Sequence, residues 1–221
     1  MTAVSYTISD YHNDGHWLTD GTSFGYSVAD VRLGGTSPYY ETFLRFQLID
    51  IDPGAIIEPA EITLTAVNAP PFATTVRIVG VAQADPPYPT SFADIQGRAR
   101  TSASVEWTIP AHAENELLTS PNIASVLSEL IAQSGWAAGN HILLVIEHVS
   151  ANYVHRFGAL GATTSHPSPA RLDIHFTGGG SGQPQSAVFS IGDYLDDGYS
   201  IQGGGINNNT TTGYLGQVPG G

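Results

Sequence analysis

Glu61-Ile62-Thr63-Leu64-Thr65-Ala66-Val67 sets apolar Ile62, Leu64 and Ala66 against polar Thr63 and Thr65 at alternate positions. That is the period of an extended strand with one face on a core and the other in water. The same two-residue rhythm recurs in residues 41–47, around Phe43-Leu44-Arg45-Phe46. It returns in residues 76–81, 104–109, 141–148 and 171–176, each rich in β-branched or aromatic side chains. Turn formers such as Pro70-Pro71, Pro86-Pro87 and the run 164–169 punctuate these stretches. Many short strands with no strand–helix alternation predict an all-β antiparallel sandwich.

One helix interrupts the strands. Ser120 can cap it, Pro121 suits its first position, and Ile123, Val126, Leu127, Leu130 and Ile131 fall on one apolar stripe. Gly135 is a natural stop before Trp136. The stripe predicts a lid laid over one end or edge of the sandwich.

The 221 residues are 41% hydrophobic and 12% charged, enough apolar mass for a core and too little charge for a wholly disordered chain. There is no lysine, and seven arginines against 20 acids leave a net charge of −13. Such a surface repels phosphate backbones and anionic lipid, so neither nucleic acid nor membrane is an expected partner. The absence of cysteine excludes disulfides, thiolate metal sites and cysteine nucleophiles. Residues 1–10 carry neither a basic cluster nor an apolar run, so no signal peptide is expected. A virion protein, assembled inside a host and released by lysis, fits that expectation.

The C-terminal part repeats the N-terminal one. Ile8-Ser9-Asp10-Tyr11-His12-Asn13-Asp14-Gly15 recurs as Ile191-Gly192-Asp193-Tyr194-Leu195-Asp196-Asp197-Gly198, at a constant offset of 183 residues that Gly21 and Gly204 share. Self-similarity at a fixed offset marks tandem units. The Gly- and Ser-rich stretch that opens at Gly178 reads as a linker. The expected organisation is a sandwich over 1–177, a linker over 178–187, and a partial second repeat or subunit-linking tail over 188–221.

A longer run of residues carries a family resemblance. Phe43-Leu44-Arg45-Phe46, then Ile51-Asp52-Pro53-Gly54-Ala55-Ile56-Ile57 and Ala60-Glu61-Ile62-Thr63-Leu64, resembles the core of DNRLRE-type carbohydrate-binding-like jelly rolls. Ser104-Val105-Glu106-Trp107, Ser120-Pro121-Asn122-Ile123, Gly135-Trp136-Ala137-Ala138-Gly139-Asn140 and Pro169-Ala170-Arg171-Leu172-Asp173-Ile174-His175-Phe176 continue it in the same order. It spans residues 4–177 and lacks the literal signature that names the family. The resemblance implies an antiparallel jelly-roll β-sandwich of the kind found in phage structural and bacterial surface proteins.

Candidate chemistry is sparse. Asp50 and Asp52 flank Ile51 without any sign of desolvation, and His12 and His16 lie in a glycine-rich turn with no metalloprotease motif. No catalytic residues and no enzymatic activity are expected. Hard oxygen donors at Asp10, Asn13, Asp14 and Asp20 make calcium the one candidate cofactor. They are echoed at Asp193, Asp196 and Asp197. Trp17, Tyr39, Tyr40 and Tyr88 are candidate platforms for a glycan, which needs aromatic faces beside hydrogen-bonding groups. Trp107 and Trp136 read as core anchors. In the tail, Val188, Phe189, Ile191, Tyr194, Tyr199 and Ile201 are candidate contacts to a neighbouring subunit through strand addition. The expected function is that of a non-enzymatic structural or decoration protein of a virion or similar surface assembly. Its partners would be further copies of itself or other surface proteins. The alternative is a carbohydrate-binding or adhesive module of a secreted multidomain protein.

Overall fold

The computed structural model describes residues 1–26, 28–161 and 168–178. Among these the chain forms twelve strands and two short helices. In chain order they are β1 (Thr2–Thr7), β2 (Asp14–Leu18), β3 (Phe24–Tyr26), β4 (Asp30–Gly34), β5 (Tyr40–Ile49), β6 (Ile56–Thr65), β7 (Thr74–Val81), α1 (Phe92–Gly97), β8 (Arg100–Ile109), β9 (Leu117–Thr119), α2 (Ala124–Ile131), β10 (Asn140–Ser150), β11 (Val154–Gly158) and β12 (Arg171–Thr177).

Strand pairing follows one rule. β7 pairs with β8, β6 with β9, β5 with β10 and β1 with β12, so each antiparallel pair closes outside the previous one. A ribbon nested in this way rolls up into two facing sheets, of order β1-β12-β6-β9 and β11-β4-β5-β10-β7-β8. This is the jelly roll, and the chain is an all-β antiparallel sandwich. The lead stretch Ile62-Thr63-Leu64-Thr65 lies in β6 at the centre of the first sheet, with Ile62 and Leu64 turned into the core.

The sandwich has a third layer. Ile142, Leu144 and Ile146 of β10 face the main core, whereas Leu143 and Val145 face outward into a second cluster with Trp17, Phe43, Val79, Val81 and Ile95. The β2–β3 hairpin and α1 contribute Trp17, Phe24, Tyr26, Phe92 and Ile95 to this outer cover. Gly15 makes the cover possible. A Cβ there would stand 2.6 Å from the Phe43 ring and closer still to the Gly25 carbonyl.

The helical lid differs in detail from the expectation. It begins at Ala124, not Pro121, because Ser120 and Asn122 are used elsewhere. The Ser120 hydroxyl accepts the Ile62 N–H at 3.0 Å, and Asn122 Oδ1 accepts the N–H groups of Ala60 and Ala124. α2 packs on β6, β7 and β8, and Val126, Leu127, Leu130 and Ile131 enter the main core. It therefore plugs the gap between the two sheets. A second helix, α1, was not expected, since the sequence predicted one helix and the chain forms two. Trp107 and Trp136 are buried in the main core, and the Trp136 indole N–H donates to the Ile51 carbonyl at 2.9 Å.

Candidate functional site

The outer cover ends in a cluster of four rings at the protein surface. Tyr11 and His12 come from the turn between β1 and β2, Tyr26 ends β3, and Tyr88 comes from the proline-rich loop after β7. His12 lies at the centre. Its ring is 3.9 Å from Tyr11, 4.8 Å from Tyr88 in a stacked arrangement, and 5.1 Å from Tyr26. Tyr26 meets Tyr88 edge-on at 6.1 Å. Tyr11 is 38% exposed and Tyr88 37%, so ring surface faces water while the cluster stays mutually braced.

Two arginines hold the loops from beneath. Arg45 of β5 is nearly buried. Its Nη1–H donates to Asn13 Oδ1 at 2.8 Å and its Nε–H to the Pro86 carbonyl at 2.7 Å. One guanidinium thus clamps the Tyr11–His12 turn to the Tyr88 loop. Arg98 donates to the carbonyls of Pro87 and Tyr88, and its own charge is held by Asp94 at 2.8 Å. Within the turn, Asp10 Oδ1 accepts the His12 N–H at 2.8 Å. That N–H holds the Asp10 carboxyl below the usual carboxylate range, against a smaller opposing effect of burial. Asp10 in this turn, and Asp85 just ahead of Pro86 and held by the His141 N–H and ring, remain about half exposed.

No protein-family model matches the chain, and no curated protein matches it either.

The residues expected to form sites are dispersed. Of the four glycan candidates, Tyr88 joins the ring cluster. Trp17 does not: it is fully buried, stacked on Phe43, with its indole N–H on Glu41 Oε2 at 3.0 Å. β2 is covered on both faces and leaves no wet side for Trp17. Tyr39 stacks on His148 at 3.6 Å, and Tyr40 lies under the Arg32 guanidinium beside His16. The four calcium candidates do not converge. Asp10 serves the His12 turn, Asn13 binds Arg45, Asp20 accepts the N–H and hydroxyl of Thr22, and Asp14 points inside the sandwich. Among the described residues no three His, Asp or Glu side chains are grouped closely enough to hold a metal ion. The tail contacts Val188, Phe189, Ile191, Tyr194, Tyr199 and Ile201, with Asp193, Asp196 and Asp197, lie outside the described residues.

Tyr11, Tyr26, Arg45 and Arg98 were not singled out as site residues by sequence reasoning, and His12 was weighed there only as a metal ligand. One signal was present: a lone arginine inside the apolar run Phe43-Leu44-Arg45-Phe46 must find polar partners when the strand is buried.

Among the described residues three buried histidines, His16, His112 and His155, lie outside the cluster. His155 is fully buried and shares a hydrogen bond with His112 at 3.1 Å, while its Nε2 has no partner. Burial, and then the neighbouring His112, pull its pKa down to about 4. His16 is likewise lowered to about 4, by burial and then by Arg32, against the opposing Asp30. A histidine depressed below its unfolded value of 6.5 contributes stability that is present above pH 6.5 and lost as pH falls toward 4. The unfolding free energy from urea titration should therefore drop between pH 6.5 and 4.5, by up to about 3 kcal/mol per ring. The drop should stand out most clearly in an Asp14→Asn background. A flat unfolding free energy across that window in the Asp14→Asn background would show that both rings charge without penalty.

Proposed function

We propose that the chain is a non-enzymatic structural or decoration module of a virion, or of a similar surface assembly, joined to further copies through its C-terminal segment. The observation that carries this reading is the role of the repeated residues in their first copy. Ile8 is buried in the main core, and Asp10 closes the turn into β2. Asp14 Oδ2 accepts the Leu160 N–H at 2.9 Å, and Gly15 admits the Phe43 ring. These are the residues that seat an opening segment on the roll, and all four recur as Ile191, Asp193, Asp197 and Gly198. A tail that keeps the seating residues suits a second roll of this kind, in tandem or in a neighbouring subunit. The resemblance to phage and bacterial surface jelly rolls supports the same reading, as does a lysine-free acidic surface that favours neither nucleic acid nor anionic membrane.

The test is light scattering after size exclusion on the full chain and on a version ending at Thr177, the last residue of β12. The shortened chain keeps every strand described above, so it should fold. The expected result is an assembly from the full chain and a monomer from the shorter one. Two monomers would sink the linking role.

A second reading, a carbohydrate-binding or adhesive module of a secreted multidomain protein, is favoured by one specific observation. Exposed aromatic rings held rigidly beside carboxylates are what a saccharide needs from a protein surface.

A further inference from the structure

We infer that the Tyr11–His12–Tyr26–Tyr88 cluster is a subsite for a neutral hexopyranose residue, seated on the tyrosine faces and hydrogen-bonded at its rim by Asp10 and Asp85. The inference rests on the second reading above and gives it a place and a ligand chemistry.

Three features of the cluster lead to this. Tyr11 and Tyr88 are exposed, and the four rings brace one another. His12 is stacked on Tyr88 and tilted against Tyr11, and Tyr26 braces Tyr88 from its edge. A sugar that lands there loses its own freedom but demands little further ordering of the protein, which is where weak ligands otherwise lose affinity.

The second feature is the clamp. A nearly buried guanidinium ties the Asn13 side chain to the Pro86 carbonyl, and Arg98 adds the Pro87 and Tyr88 carbonyls. Both cations are spent on protein oxygens beneath the rings. They fix the platform, and neither offers a free charge to a ligand. Arg98 is only 10% exposed.

The third feature is the sign of what remains accessible. The half-exposed charges at the rim are Asp10 and Asp85, both held below the usual carboxylate range. For Asp85 the His141 N–H and ring overcome the upward push of burial. Carboxylates are pure acceptors, matched to the hydroxyl groups around a pyranose ring. They repel uronates and sialic acids, as does the chain's net charge of −13. An aromatic face takes up the C–H side of the sugar, and the carboxylates take its hydroxyls.

One residue on an open platform gives a dissociation constant on the order of millimolar, tightened when neighbouring sugars in a chain add contacts. The test is a titration of the full chain with neutral gluco-, manno- and galacto-oligosaccharides, and with oligogalacturonate and oligo-alginate, followed by calorimetry and tyrosine-ring NMR shifts. The expected result is binding of at least one neutral series and at least tenfold weaker binding of both uronates. Tyr88→Ala should lose that affinity tenfold or more, whereas Tyr88→Phe should keep it, because the ring face does the binding. Tyr39→Ala should bind like the parent. Unchanged thermal midpoints would show that the exposed substitutions leave the fold intact, and a ring-shift titration of the parent reads the site without any substitution. If a neutral glycan binds but Tyr88→Ala and Tyr11→Ala bind equally well, the subsite is refuted while the carbohydrate-binding reading survives. Uronates that bind as tightly as neutral sugars refute the charge argument. If no glycan binds the folded chain, the reading itself falls and the subsite falls with it.

Discussion

Asp14→Asn should stabilise the protein by about 3 kcal/mol at pH 8 and destabilise it by up to about 1 kcal/mol at pH 4. Asp14 is fully buried, with one carboxylate oxygen on the Leu160 N–H and the other without a partner. Burial pushes its pKa up from 3.8 to about 7, with the Leu160 N–H pulling weakly the other way. An acid raised in the folded state favours folding most below its unfolded pKa, and its contribution is lost as pH climbs from about 4 to about 7. Three pKa units correspond to about 4 kcal/mol, and a buried amide left partly unpaired in the variant returns about 1 of these. Asparagine keeps an acceptor for Leu160, so the seat of β2 survives. Urea unfolding of both proteins from pH 4 to 8 measures the difference directly. A gap that does not widen with pH would mean that Asp14 stays ionised in the folded state at little cost.

Trp17→Ala should cost about 4 kcal/mol, near the middle of the range for truncating a large aromatic core residue. The ring is stacked on Phe43 in the outer core, without any exposure. Its removal opens a cavity and also strands Glu41, whose Oε2 loses the indole donor while Oε1 still holds the His148 N–H. Burial already raises the Glu41 pKa, so this carboxylate would turn protonated more readily in the variant. Trp17→Phe should recover about half of the loss, since it refills much of the cavity but not the hydrogen bond. Thermal and urea unfolding of the two variants would settle the matter, and a loss under about 1 kcal/mol for the alanine would place Trp17 at the surface.

The strands legible in the sequence are those with one dry face. β5, β6, β7, β8, β10 and β12 all carry the two-residue rhythm, because in each at least part of the strand separates core from water. β2 escaped notice for the opposite reason. Asp14, Gly15, His16 and Trp17 are buried in succession beside β5 and β3, so polar and apolar residues follow one another without a period. β9 is three residues long and β3 no longer, too short for any rhythm. α1 did leave a trace in Thr90-Ser91 and Asp94. The Ser91 hydroxyl accepts the Asp94 N–H at 3.1 Å, and Asp94 answers by accepting the Thr90 N–H at 2.9 Å. Its body is a turn and a half with only Ile95 buried, which leaves no stripe to read. The ring cluster was half visible through Tyr88. Its other members lie far off in sequence and meet Tyr88 only because the β1–β2 turn and the loop after β7 converge on Arg45. Adjacency of that kind is a property of the roll and cannot be read from spacing.

The nested pairing also sets a timetable. On a ribosome the hairpin of β7 and β8 can close as soon as it emerges, and β6–β9 and β5–β10 follow in turn. β1 is made first and must wait longest, since Thr2 pairs with Phe176 and Thr7 with Arg171. Until β12 arrives, the first sheet lacks its second strand, and β1 has no partner to hold it beside β6. Such long-range closure is slow. During translation the nascent chain therefore carries an unclaimed strand at its head, and a polysome crowded with identical chains offers each such strand the wrong neighbour as readily as the right one.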